Sequence, residues 1–217
     1  MGNKHHPAAF RGINATQIGE NPPYQLSVGS GSSIDDRMKA VWTAVTLSIV
    51  DPVTRVMAME TVRDCKGRDD LCELSHVYAG LKELIKYRGE PPGMDLFQTA
   101  RRSIELGGGD CDCMTIAAVS FLTELGFDCG ARVIDQTGEG WDHIYALVKV
   151  PRLGSSAAGL QAGLNQLALD ISEPSFRLGD EVSAMHRVRS QDYWYDSHGW
   201  ILWKKRGLSL SQAPALR

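Results

Sequence analysis

The apolar spacing of this chain changes once, at Gly126, from a helical three-and-four period to short alternating runs, and that change sets the fold class. Upstream, Leu71, Leu74, Val77, Tyr78, Leu81, Leu84 and Ile85 fall on one face of a helix that ends near Tyr87, before Gly89 and the Pro91-Pro92 pair. Downstream, 131–134, 143–150, 167–171 and 200–203 read as strands. Helices first and strands afterwards predict an α+β domain with an antiparallel sheet. A chain of 217 residues with this patterning buries one core, so a single domain with loose ends is expected.

Other segments follow the same logic. Residues 1–33 carry Asn21-Pro22-Pro23 and Gly29-Ser30-Gly31-Ser32-Ser33 and read as a flexible arm without a core of its own. From Ile34, the residues Met38, Val41, Trp42, Val45 and Ile49 fit a helical stripe, and Val41, Thr43, Val45, Leu47 and Ile49 fit a strand nearly as well; a helix is the expectation. Asp51-Pro52 then opens a second helix, as an N-cap followed by proline, running to about Asp64. Met114, Ala117, Ala118, Phe121, Leu122 and Leu125 share a face of a further helix that starts at Cys111 and stops at Gly126. The domain is therefore expected over 34–205, with a core at about 71–171 and a tail at 206–217. The uncharged, Gly/Ala/Ser-rich stretch 153–166 is an insertion between two strands.

Charge and hydropathy exclude some partners. Lys and Arg number 23 against 26 Asp and Glu, a net charge of −3, so no basic excess serves a nucleic-acid backbone or an anionic membrane. The longest strongly apolar run without charge, Ala40 to Val50, is 11 residues, about half of what a membrane-crossing helix needs. The start of the chain lacks a secretory apolar run, and five cysteines in a chain of this size point to a reducing compartment, the cytoplasm.

The chemistry concentrates on Cys111. It follows Gly107-Gly108-Gly109-Asp110 at the start of a helix, where unpaired N–H groups and the helix dipole favour an anion. That placement serves a thiolate nucleophile and can also donate to an oxyanion. His143, 32 residues later, heads the best strand and is the candidate base. Asp170, an acid embedded in the apolar run 167–171, needs a buried partner. Pairing of its strand with that of His143 would let it orient the imidazole. Asp110 and Asp112 flank the thiol; pointing inward they would raise its pKa, and as helix-start acids they would satisfy the backbone. Alternatively, Cys111, Cys113, His143 and Asp170 could ligate zinc, although a Cys-x-Cys pair on a helix directs its sulfurs about 200° apart. Cys65 and Cys72, around the charged turn 66–70, read as half-buried thiols, and Cys129 as packing.

Gly109-Asp110-Cys111-Asp112, the apolar helix after it, Leu125-Gly126-Phe127, the strand Ala131–Ile134, His143 in a strand and Asp170 in the next together resemble the transglutaminase-like superfamily of thiol enzymes. The Gly-Asp-Cys-Asp form is most similar to members encoded by tailed bacteriophages and prophages. The resemblance implies a papain-related core with Cys111 as nucleophile, His143 as general base and Asp170 as its orienter. It implies acyl transfer through a thioester, as a cysteine protease, amidase or cross-linking enzyme acting on protein or peptide, with no cofactor and no metal. Gln98 is a candidate second oxyanion donor. The alternative reading is a phage or prophage virion structural or assembly protein that uses the fold as an interaction module. In that reading the N-terminal arm contacts phage structural proteins and the aromatic cluster at His186, Arg187, Arg189, Tyr193, Trp194, Tyr195, His198, Trp200 and Trp203 forms an interface.

Overall fold

The computed structural model describes residues 14–17, 24–29, 31–67, 69–91, 93, 95–150, 166–183, 186–195 and 204–206. Among them are five helices: α1 (Ile34–Ile49), α2 (Pro52–Thr61), α3 (Asp70–Leu84), α4 (Ala100–Leu106) and α5 (Cys111–Glu124). Ten strands accompany them: β1 (Asn14–Gln17), β2 (Tyr24–Val28), β3 (Lys86–Tyr87), β4 (Asp95–Gln98), β5 (Gly108–Gly109), β6 (Cys129–Asp135), β7 (His143–Lys149), β8 (Gln166–Leu169), β9 (Arg189–Trp194) and β10 (Lys204–Arg206).

The helix-first order needs correction. Strands β1 and β2 precede α1, and β4 joins them in an antiparallel sheet ordered β1-β2-β4. Tyr24–Val28 is thus a strand where its Pro- and Gly-rich flanks suggested irregular chain. Leu26 and Val28 alternate into the core, and the flanking breakers hide that period of two. The main sheet is antiparallel in the order β10-β9-β6-β7-β8, and β9 is a strand that the aromatic-rich C-terminal reading left unassigned. The stretches 153–165 and 200–203, read as an insertion and a strand, lie outside the described residues.

Helix α5 is the centre of the packing. Every residue from Cys113 to Leu122 is buried, because the helix is apolar or small on all sides and is enclosed by α1, α2, α3 and α4 and by the inner face of the main sheet. On β7, Ile144, Ala146 and Val148 join that core, while Tyr145 and Leu147 point to a second, smaller cluster on the outer face with Ile134, Ala168 and Trp194. Close approach of β6 to β9 requires Gly130: a Cβ there would meet the Tyr193 carbonyl oxygen, and the Trp194 ring at 2.9 Å.

Helix starts follow the side chains that cap them. Ser33 accepts from the Asp36 N–H at 3.2 Å, Asp51 from Val53 at 3.0 Å and Asp69 from Cys72 at 3.0 Å. Cys65 and Cys72 form a disulfide, which corrects their reading as separate thiols. The exit turn of α2 and the first turn of α3 bring their Cα atoms to 5.7 Å, inside bonding range, and the charged turn between them folds back instead of spacing them. No helix among the described residues is long and apolar enough to cross a membrane.

Candidate active site

The glycine run before Cys111 is ordered by three separate demands. Gly107 takes a left-handed φ of 61° as the C-cap of α4. Gly108 and Gly109 pair in parallel with Lys86 and Tyr87. At Gly109 a Cβ would lie 2.5 Å from the Cys113 Cβ, so only glycine lets this strand pass under the first turn of α5. Asp110 then caps α5, its Oδ1 accepting from the Cys113 N–H at 3.0 Å. Cys111 is thereby fixed as the first helical residue and keeps part of its surface open.

Facing it, β7 enters with His143. Thr115 of α5 donates its hydroxyl to the Ile144 carbonyl at 3.2 Å and locks the start of β7 against the start of α5. Cys111 and His143 line one small cavity of about 70 Å³ with Asp112, Trp141, Asp142 and Ile144. Trp141 is held in that wall by the Arg189 guanidinium, 4.5 Å above its ring. His143 also faces a second, larger cavity of about 490 Å³, lined by Gln136, Glu173, Phe176, Glu181 and His186 among others.

Asp170 completes the constellation. In the register of β7 with β8, Ala146 faces Leu169, so Asp170, the next residue, arrives close to His143. Its Oδ2 lies 2.7 Å from His143 Nε2. The other oxygen, Oδ1, accepts from the Ser172 hydroxyl at 2.7 Å and the Ser172 N–H at 3.2 Å, so this fully buried carboxylate is satisfied on both sides. With Nε2 engaged by Asp170, Nδ1 is the other ring nitrogen of His143.

Two residues that the sequence reading missed hold this arrangement from α3. Tyr78 donates its hydroxyl to the Phe176 carbonyl at 2.5 Å, and burial, followed by the charge of Asp170, pushes its phenol up to about 12. Lys82 donates to the carbonyls of Glu173, Pro174 and Phe176 at 2.9, 3.1 and 3.0 Å. A lysine on an amphipathic helix carries no sign in sequence that it will bind backbone some ninety residues away.

The electrostatics of Cys111 run against the expectation of a stabilised thiolate. Burial pushes the thiol well up, and Asp112 and Asp110 add to it; N–H groups of Ile144 and Asp112 pull weakly the other way. Asp112 is itself held well above the ordinary carboxylate range, by burial first and by Asp110, Glu90 and Asp95 after it. Burial also pushes Glu90 up to about 7. Cys111 therefore rests as the thiol near neutral pH. Removing one flanking acid, Asp112→Asn, is expected to move the alkaline rise of Cys111 alkylation to lower pH, because Asp112 opposes the thiolate where its carboxyl is ionised. Iodoacetamide labelling followed by peptide mass spectrometry reads this directly; an unchanged profile would show that Asp112 does not act on the thiol.

Other sequence candidates lie elsewhere. Gln98 Oε1 accepts from the Ser103 hydroxyl at 3.2 Å, and Gln98 does not line the cavity of Cys111. Cys113 is buried, its thiol turned to the Leu96 carbonyl at 3.5 Å, so the four residues weighed as a zinc set do not come together. Cys129 is buried, and burial holds its thiol far up. Within the aromatic cluster Tyr193 is core, Trp194 lies under the Lys149 ammonium on the outer face and Tyr195 packs on Trp42; His198, Trp200 and Trp203 lie outside the described residues.

No family model matches the chain, and no curated protein matches it. Among solved structures it is similar to LapG of Legionella pneumophila in an EGTA-treated form, at 16% identity and a TM-score of 0.44 over 74% of this chain and 81% of that one. It is also similar to a candidate protease from Parabacteroides distasonis ATCC 8503, at 12% identity and a TM-score of 0.47 over 80% of this chain and 35% of that one.

Proposed function

We propose that the protein is a thiol-dependent acyl-transfer enzyme, a cysteine protease or amidase of transglutaminase-like type, with Cys111 as nucleophile, His143 as general base and Asp170 as its orienter. The contact between His143 Nε2 and Asp170 Oδ2, with His143 and Cys111 on one cavity wall, is the observation that carries this reading. The resemblance of Gly109-Asp110-Cys111-Asp112, His143 and Asp170 to the transglutaminase-like pattern supports it.

In the proposed cycle the Cys111 proton passes to His143 Nδ1 as the sulfur attacks a carbonyl carbon. Asp170 keeps Nε2–H pointed at itself and stabilises the imidazolium that forms. The carbonyl oxygen gathers charge beside the first turn of α5, where N–H groups lack intrahelical acceptors. The acyl–nitrogen bond breaks, the leaving amine takes the proton from His143, and water or a second amine resolves the thioester. The larger cavity that His143 also lines offers room for a side chain of a peptide substrate.

A small activated ester tests the thioester step without knowledge of the substrate. Mixed with p-nitrophenyl acetate and quenched in acid, the protein should carry one acetyl group on Cys111, removable by hydroxylamine and missing in Cys111→Ala. Acetylation confined to lysines, or equal in the variant, would overturn the assignment.

A further inference from the structure

The α2–α3 junction carries a second cluster of reactive side chains that the proposed acyl-transfer chemistry does not use. His76 stands one helical turn after Cys72 on the same face of α3, and Cys65 closes from the exit turn of α2. His76 Nδ1 lies 3.3 Å from Cys65 Sγ, 3.4 Å from Cys72 Sγ and 2.9 Å from the Cys72 carbonyl oxygen. All three potential ligand atoms fall within 4.8 Å of one another, at a partly exposed edge of the molecule.

Those distances match a tetrahedral metal centre. With Zn–S at about 2.3 Å and Zn–N at about 2.0 Å, the sulfur–nitrogen edges of a tetrahedron are about 3.5 Å and the sulfur–sulfur edge about 3.8 Å. Both sulfur–nitrogen distances are already close to these edges; the sulfurs must part and the His76 ring must release the Cys72 carbonyl. Two thiolates and an imidazole are a donor set that selects a soft or borderline cation over calcium or magnesium.

We propose that Cys65, Cys72 and His76 form a redox-gated site for a thiophilic divalent cation of the zinc class, closed as the disulfide and opened by reduction. Two equivalents of a low-molecular-weight or protein thiol open it: the Cys65–Cys72 bond takes up two electrons and two protons, and the two reductant thiols leave joined as a disulfide. The cation then displaces the two thiol protons. In the oxidised state His76 Nδ1–H donates to the Cys72 carbonyl. On metal binding the exposed ring carries its proton on Nε2 and turns the Nδ1 lone pair to the ion. Water fills the fourth position, and Asp69 stays committed to the Cys72 N–H as helix cap.

The test uses the full chain. After reduction with a phosphine and removal of the reductant under argon, Co²⁺ should give a thiolate-to-cobalt charge-transfer band, and native mass spectrometry should show one Zn²⁺ per chain. Cys65→Ser and Cys72→Ser should each abolish the band, His76→Ala should weaken Zn²⁺ binding by about tenfold or more, and the oxidised chain should bind neither ion. A folded reduced chain with no band, a band that survives Cys72→Ser, equal binding by the oxidised chain, or loss of the far-ultraviolet circular dichroism on reduction would each overturn the proposal. Cys111→Ala, carried through the same series, should leave the band unchanged and so separates this site from the proposed nucleophile.

Discussion

His143→Ala should slow alkylation of Cys111 by iodoacetamide by about 10² to 10⁴-fold near neutral pH, the range that a positioned general base contributes. The size of the effect follows from the resting state of the thiol. Burial and two carboxylates hold Cys111 well above an ordinary cysteine, so without a base almost no thiolate forms at neutral pH. The shape of the pH profile separates this from a general loss of structure. In wild-type protein a neutral-pH component should depend on His143; in the variant only the steep rise at alkaline pH should remain. Asp170→Asn should lie between the two, because the ring stays in place while its orientation and the stabilisation of its charged form weaken. Equal rates for wild type and His143→Ala, with both proteins folded, would remove Cys111 and His143 as a working pair.

The second large effect is on stability and lies on the outer face of the sheet. Arg132 is 5% exposed and pairs with Asp192 through two bonds, Nε to Oδ1 at 2.6 Å and a second terminal nitrogen to Oδ2 at 2.9 Å; its remaining arm reaches Glu181 at 2.8 Å. Glu181 also accepts from the Tyr145 hydroxyl at 2.5 Å and from Arg187 at 3.3 Å. Burial works against the Arg132 charge, but Asp192 outweighs it and keeps the guanidinium firmly protonated. Arg132→Met preserves most of the volume and strands Asp192, 7% exposed, without its counter-charge. The expected cost is about 3–5 kcal/mol, which lowers the thermal midpoint by about 10 °C for a domain of this size. Urea and thermal unfolding measure it. Arg132→Met combined with Asp192→Leu should recover a large part of the loss, since the penalty belongs to the abandoned carboxylate and not to the missing arginine. A single variant within about 1 kcal/mol of wild type would show that water reaches Asp192.

These two cases also mark what could be read from sequence. Where one residue type and its near neighbours decide the outcome, the reading holds: α1 opens at Ile34, Asp51-Pro52 opens α2, and the apolar positions from Leu71 to Ile85 describe α3 within a few residues. Cys111 at a helix start and His143 at a strand head are likewise where spacing put them. The misses have a common physical source. Tyr24–Val28 and Asp95–Gln98 are too short to show a period against polar flanks, and they become strands because they pair with each other. Arg132 looks like one charge in an apolar strand, since the Asp192 that lets it be buried stands sixty residues later. Cys65 and Cys72, separated by 7 positions around a charged turn, read as separate thiols, yet they meet as a disulfide. The direction of the Cys111 shift was legible only as a choice between two readings of Asp110 and Asp112, and it is burial, which no local pattern reveals, that settles it.

The grip of Lys82 on the carbonyls of Glu173, Pro174 and Phe176 ties the loop after Asp170 to a helix made some ninety residues earlier. A ribosome makes the thiol-bearing helix well before it makes Asp170, and in the folded chain the loop after Asp170 rests on α3. Contacts across so wide a span belong to the non-local kind that slows folding. A nascent chain that has emerged through β7 therefore carries Cys111 and His143 but no seated carboxylate. In the proposed enzyme, hydrolytic competence would switch on after the last strands have docked, which spares unfinished copies of the chain from being cut by one another.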